Sequence, residues 1–200
     1  MRLTRTTPIL ALLLAALPLV ANAHTGVDGA HHHGFITGFL HPLTGVDHLA
    51  AMVAVGLWSA LTARRAWPDL LWAPLGFAVM LLAGAMAGLG GVQLPAVEPM
   101  IAASLLVLGL LVLTQRRLPA FAAAALVGVF AVFHGIAHGQ ELAGESAAAM
   151  TLAGMLAATV VLHGAGIAIG WSLRHSHRWL PRLAGAAVAL FGVALLGGLA

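Results

Sequence analysis

Six apolar segments follow one another along this chain, at residues 43–61, 70–89, 97–114, 119–139, 147–173 and 180–199. A helix rises about 1.5 Å per residue, so about 20 residues cross a hydrocarbon core of about 30 Å, and each segment has roughly that length. Lipid offers the backbone no hydrogen-bond partner, so a stretch that lies in it has to satisfy its own amides and carbonyls as a helix. Composition agrees: the 200 residues are 61% hydrophobic and 8% charged, and a mean hydropathy of +1.01 lies outside the range of soluble domains. The expected fold class is therefore all-α, a polytopic membrane protein with a six-transmembrane-helix bundle.

The charges orient that bundle. The chain has nine Arg and no Lys. Beyond Arg2 and Arg5, all of them fall in alternate connectors: Arg64 and Arg65 in residues 62–69, Arg116 and Arg117 in 115–118, and Arg174, Arg178 and Arg182 in 171–182. The opposite connectors, residues 90–96 and 140–146, contain none, so the arginine side is the cytoplasmic one and both ends of the mature chain lie outside. Arginines in short loops are topology signals, and no nucleic-acid partner is expected. Gly84/Gly88, Gly135/Gly139 and Gly166/Gly170 repeat at four-residue spacing, which suits close helix contact.

Ahead of the first span, Arg2 and Arg5, the apolar run of residues 9–20 and Ala21-Asn22-Ala23 have the order of a secretory signal peptide with an A-x-A cleavage site; an uncleaved anchor is the alternative. The expected organisation is a signal peptide over residues 1–23, a short periplasmic His-rich segment over 24–42, and a membrane domain over 43–200. Cleavage after Ala23 would make His24 the first residue, where its amine and imidazole together can chelate a divalent metal. His31, His32 and His33 follow in the same segment.

Chemistry-bearing residues interrupt the hydrocarbon in two places. The fourth span ends in Phe133-His134-Gly135-Ile136-Ala137-His138-Gly139-Gln140-Glu141. On a helix His134, His138 and Glu141 lie on one face, and are expected to converge on one metal. The first span opens with His41-Pro42-Leu43-Thr44-Gly45-Val46-Asp47-His48. Pro42 suits a first helical turn. His41 then falls near the cap, His48 returns to its face seven residues later, and Asp47 either ligates or orients an imidazole from a neighbouring helix. A carboxylate near hydrocarbon costs a few kcal/mol unless paired or hydrated, which makes Asp47 a functional candidate. The fourth span's carboxyl-terminal end lies at the same side and favours a cation.

Weaker candidates carry open alternatives. Glu98, in Val-Glu-Pro, is either part of an entrance or a solvated acid at a helix start. His163, about 15 residues into the fifth span, is either a relay on the inner half or a buried histidine bonded to a neighbour. His175 and His177 suit a release site or an ordinary basic loop. The chain has no Cys, so a metal here would be held by nitrogen and oxygen, which suits borderline divalent ions.

With its signal peptide, His24, the His-x5-Asp-His pattern ending in Asp47-His48, Val-Glu-Pro at Glu98, and the 133–141 motif, the whole chain resembles the HupE/UreJ family of nickel and cobalt permeases. The resemblance implies six spans, uptake of metal from the periplasm, and His41, Asp47, His48, His134, His138 and Glu141 as functional positions. It also implies location in the bacterial inner membrane and hydrogenase or urease systems, whose cytoplasmic metallochaperone is a candidate partner; a homo-oligomer is a further candidate. No resident cofactor and no enzymatic reaction are expected, only a transported divalent ion, Ni²⁺ before Co²⁺. Rival readings are a Cu²⁺ or Zn²⁺ transporter, a His-rich membrane metalloenzyme and a haem protein. No phosphate-cradling G-x-x-x-x-G-K-[ST] signature occurs, so the energy would come from a gradient, a partner, or the membrane potential, worth about 4.6 kcal/mol per divalent ion per 100 mV.

Overall fold

The computed structural model describes residues 34–64 and 68–199, and seven helices make up their regular structure. They are α1 (Phe35–Thr44), α2 (Val46–Thr62), α3 (Trp72–Leu89), α4 (Val97–Thr114), α5 (Ala120–Glu141), α6 (Ala148–Leu173) and α7 (Trp179–Leu196). The signal peptide, His24 and His31 to His33 lie outside the described residues. Helices α3 to α7 are each long and apolar enough to cross a bilayer, and α1 with α2 are so only together, as a pair bent by 83° that has the form of a broken span or a re-entrant loop. The expected all-α architecture of membrane-length apolar helices is present, with five single-helix spans and the bent α1–α2 pair where the first of the six expected spans lies.

The first span departs from expectation. Instead of starting at Pro42, the helical chain starts at Phe35, and Pro42 sits inside α1, so the expected segment boundary at residue 42 cuts a helix. The break comes at Gly45, whose extended backbone (φ −77°, ψ 109°) ends α1 and begins α2. Proline three residues before the break removes one amide donor, and Gly45 closes the turn by donating its N–H to the His41 carbonyl. Elsewhere the segment limits agree to within about three residues.

Helix α2 is the central post. Its buried positions run nearly all round, from His48 through Met52, Val55 and Trp58 to Leu61, as expected for a helix with partners on every side. It packs on α6, α4, α3, α1 and α7. Around it α3 pairs with α5, α4 with α7, and α1 with α6. The α3–α5 seam is glycine-lined: a Cβ on Gly135 or Gly139 would overlap the carbonyl of Leu81 or Ala85, and one on Gly84 or Gly88 the carbonyl of Val132 or Ile136. In lipid, where apolar contact alone does little to drive helices together, such backbone proximity supplies the dispersion contact that holds them. Leu75, Val79, Phe121, Val129, Val160 and Leu190 are exposed on the outer faces, as lipid-facing side chains are.

Candidate metal centre

The motif at the end of α5 does two structural jobs through one periodicity. Gly135 and Gly139 face α3 and let it approach. Their sequence neighbours His134 and His138 lie about 100° round the helix and meet the imidazole of His48 on α2, with ring centroids 5.1 Å and 4.7 Å apart. His41, on α1, lies 4.9 Å from His138 and 5.9 Å from His48, centroid to centroid. The helix break therefore places His41 beside His48 by folding the chain back, not by the seven-residue return of one continuous helix that the sequence suggests.

These groups form a ladder rather than the single point expected for His134, His138 and Glu141. At its outer rung are His41, His138 and Glu141, whose ligand atoms all lie within 4.8 Å of one another. Glu141 Oε2 is 3.5 Å from His138 Nδ1 and 4.0 Å from His41 Nε2. Four ligands on bonds of about 2.1 Å would sit about 3.4 Å apart, so closing this set on a cation needs shifts of about 1 Å. His134 belongs to an inner rung, seven residues or about 10 Å of helix rise from Glu141.

Solvent access falls along the ladder. The Glu141 side chain is 43% exposed and that of His41 27%, whereas His138, His48 and His134 are 2%, 1% and 0% exposed. The outer rung is open enough to receive a hydrated ion, and at the inner ones imidazole would have to replace the water that burial excludes.

Two hydrogen bonds set which ring nitrogens carry a proton and which keep a lone pair. Asp47 Oδ1 lies 2.9 Å from His48 Nδ1; a carboxylate only accepts, so Nδ1–H donates and the Nε2 lone pair is left for a cation. Asp47 thus orients its own sequence neighbour, not an imidazole from another helix. The Ser104 hydroxyl on α4 donates to the Ile101 carbonyl at 2.6 Å, so it accepts from His134 Nε2–H at 3.1 Å. That leaves His134 Nδ1 as a lone pair, buried and without a hydrogen-bond partner. A buried lone pair left unsatisfied costs about 1–3 kcal/mol, which a cation would recover.

Below His134 the ladder is interrupted by Phe77 of α3, fully buried, with its ring 5.8 Å from His134 and 5.3 Å from His163. His163, on α6, is 3% exposed with Nε2 lacking a hydrogen-bond partner. Its carbonyl abuts Gly56, eight residues inward of His48 on α2, which places it about 12 Å deeper. That leaves Nε2 as a buried ring nitrogen below Phe77, as His134 Nδ1 is above it. Glu98 is exposed in the first turn of α4 and is outside the converging group. Ser104 and Phe77 were not singled out by sequence. Ser104 had a signal, a lone hydroxyl deep in an apolar span; Phe77 had none.

Comparison with known proteins agrees with the motifs. A family model described as HupE / UreJ protein matches residues 10–195. The chain belongs to the HupE/UreJ family. Protein HupE of Rhizobium leguminosarum bv. viciae is 43% identical over 201 residues, covering 99% of this chain and 100% of that protein. No solved structure matches.

Proposed function

We propose that the protein is a permease that imports a divalent transition-metal ion, Ni²⁺ or Co²⁺, across the bacterial inner membrane from periplasm to cytoplasm. The observation that carries this reading is the ladder itself: imidazoles at 4.7–5.1 Å centroid spacing, led by a half-exposed carboxylate and ending on the buried, unpartnered lone pair of His134. Each rung exchanges one ligand for the next, so the ion never loses its whole coordination shell at once, which is the costly step for a divalent cation in a low-dielectric interior. Asp47 supplies a negative charge beside the path, and the last carbonyls of α5 add their dipole at the entrance. His163 would take the ion beyond Phe77. His24, once exposed by processing, would raise local metal concentration at the mouth without lining the path.

The test is uptake into oriented proteoliposomes under an inside-negative potential, with Ni²⁺, Co²⁺, Zn²⁺ and Cu²⁺ offered singly and in competition. Ni²⁺ or Co²⁺ accumulation that depends on the protein is expected. Transport of none of the four overturns the reading, and exclusive transport of Zn²⁺ or Cu²⁺ changes the cargo.

A further inference from the structure

At the opposite end of the bundle, the ends of α4, α6 and α7 enclose a cavity of about 350 Å³ whose polar wall is Arg117, Arg174, Arg178, Arg182, Gln115 and Ser176. No carboxylate lines it among the described residues. Asp69, the one acid in the connectors of this end, lines a neighbouring cavity of about 420 Å³ instead. Four guanidinium groups around so small a space repel one another, and the positive-inside rule asks only for positive charge in these loops, not for its convergence. A complementary anion would remove that repulsion, and guanidinium is the side chain whose planar fork pairs phosphate oxygens two at a time.

Three of these four arginines are also held in place. The Arg174 guanidinium lies 4.8 Å from the centre of the Trp171 ring, and those of Arg178 and Arg182 lie 5.7 Å and 5.5 Å from the Trp179 ring; Arg174 further donates to the Ala63 carbonyl. Stacking on an indole face reduces the freedom each side chain would lose on binding. Trp171 and Trp179 are 43% and 52% exposed, and exposed Trp at span ends marks the headgroup level of a bilayer. Leu183, 58% exposed, follows one residue after Arg182 on α7 and offers an apolar surface beside the charged one.

We propose that this arginine cavity is a binding site for a phosphate group, and that the phosphate is carried by an anionic glycerophospholipid of the inner leaflet. The tryptophan level and the adjoining apolar face favour a lipid over a free ion. The site is independent of the metal ladder, since its residues come from the other ends of the spans.

The full-length protein in detergent, with no metal added, is titrated with short-chain phosphatidylglycerol, short-chain phosphatidylcholine and inorganic phosphate, with binding read by native mass spectrometry and calorimetry. Phosphatidylglycerol is expected to bind at least tenfold more tightly than either of the others. The Arg117→Gln/Arg182→Gln double variant should lose at least tenfold in that affinity, and Arg116→Gln, whose side chain is outside the cavity, should lose less than twofold. Arg182→Lys keeps the charge and guards against a folding defect; about threefold weakening is expected from the lost fork. Equal binding of the two lipids, an unchanged double variant, or an equal loss in Arg116→Gln would overturn the site. Inorganic phosphate binding as tightly as phosphatidylglycerol would overturn the lipid and leave a free-anion site.

Discussion

His134 illustrates how little of a site residue's role lies in its own identity. In the proposed permease its ring would serve a cation because Ser104, thirty residues earlier, accepts its Nε2–H and leaves Nδ1 as the lone pair. Ser104→Ala should therefore leave the protein abundant in the membrane but weaken metal affinity about three- to tenfold, as isothermal titration of purified protein would show; an unchanged affinity would mean that the bond does not select the tautomer. His134→Ala, His138→Ala and His48→Ala remove a rung each, and uptake is expected to fall at least tenfold in every case. Asp47→Asn keeps the size but removes the charge that polarises His48, and losses of this kind typically weaken a metal site about 10- to 100-fold. Proton competition gives the sign of the pH dependence. An imidazole that takes up a proton at its free nitrogen has no lone pair left, and unperturbed imidazole does so near pH 6.5, so equilibrium metal binding should weaken as pH falls from about 7 to 5 and recover on return. Binding that is flat across that range would argue against a histidine site.

At the scale of elements, the break between α1 and α2 does what no straight helix could. Gly45 has an ordinary negative φ, so its glycine is there for space and not for backbone freedom: an added Cβ would sit 3.2 Å from both Asp47 Oδ1 and His48 Nδ1. Gly45→Ala should accordingly preserve folding while displacing the Asp47–His48 pair, and we expect metal affinity to drop severalfold with thermal unfolding shifted by only a few degrees. An equal loss of both would assign Gly45 to the fold alone. On α5, Gly135→Leu is the opposite case. Its side chain would press into the Leu81 carbonyl and part α3 from α5, so unfolding in detergent should occur at markedly lower temperature, and uptake should disappear with the folded protein.

For the whole molecule, the chain has no native Cys, so single introduced cysteines can report its orientation without background. Leu94→Cys, in the connector between α3 and α4, should react with an impermeant thiol reagent from outside the cell, and His175→Cys, among the arginines after α6, only after permeabilisation. Labelling of both from one side would refute the six-span topology. Six apolar stretches and their alternating arginines are local properties, set by the length and charge of each segment against a bilayer, and they were legible in the residues alone. So were the two motifs, because imidazole and carboxylate in hydrocarbon are costly and therefore conspicuous. What no periodicity could reveal is how those groups divide into rungs. The sequence places His134, His138 and Glu141 on one face but says nothing of depth relative to α1 and α2, so one ligand point was expected where His41 in fact joins His138 and Glu141 and His134 joins Ser104. Pro42 likewise reads equally well as the start of a helix or as the last turn before a bend; contact of α1 with α6 decides between them. Separation of His134 from His163 by Phe77, and the convergence on one cavity of Arg182 of α7 with arginines from the connectors after α4 and α6, are relations between segments distant in sequence, and packing of the bundle alone determines them.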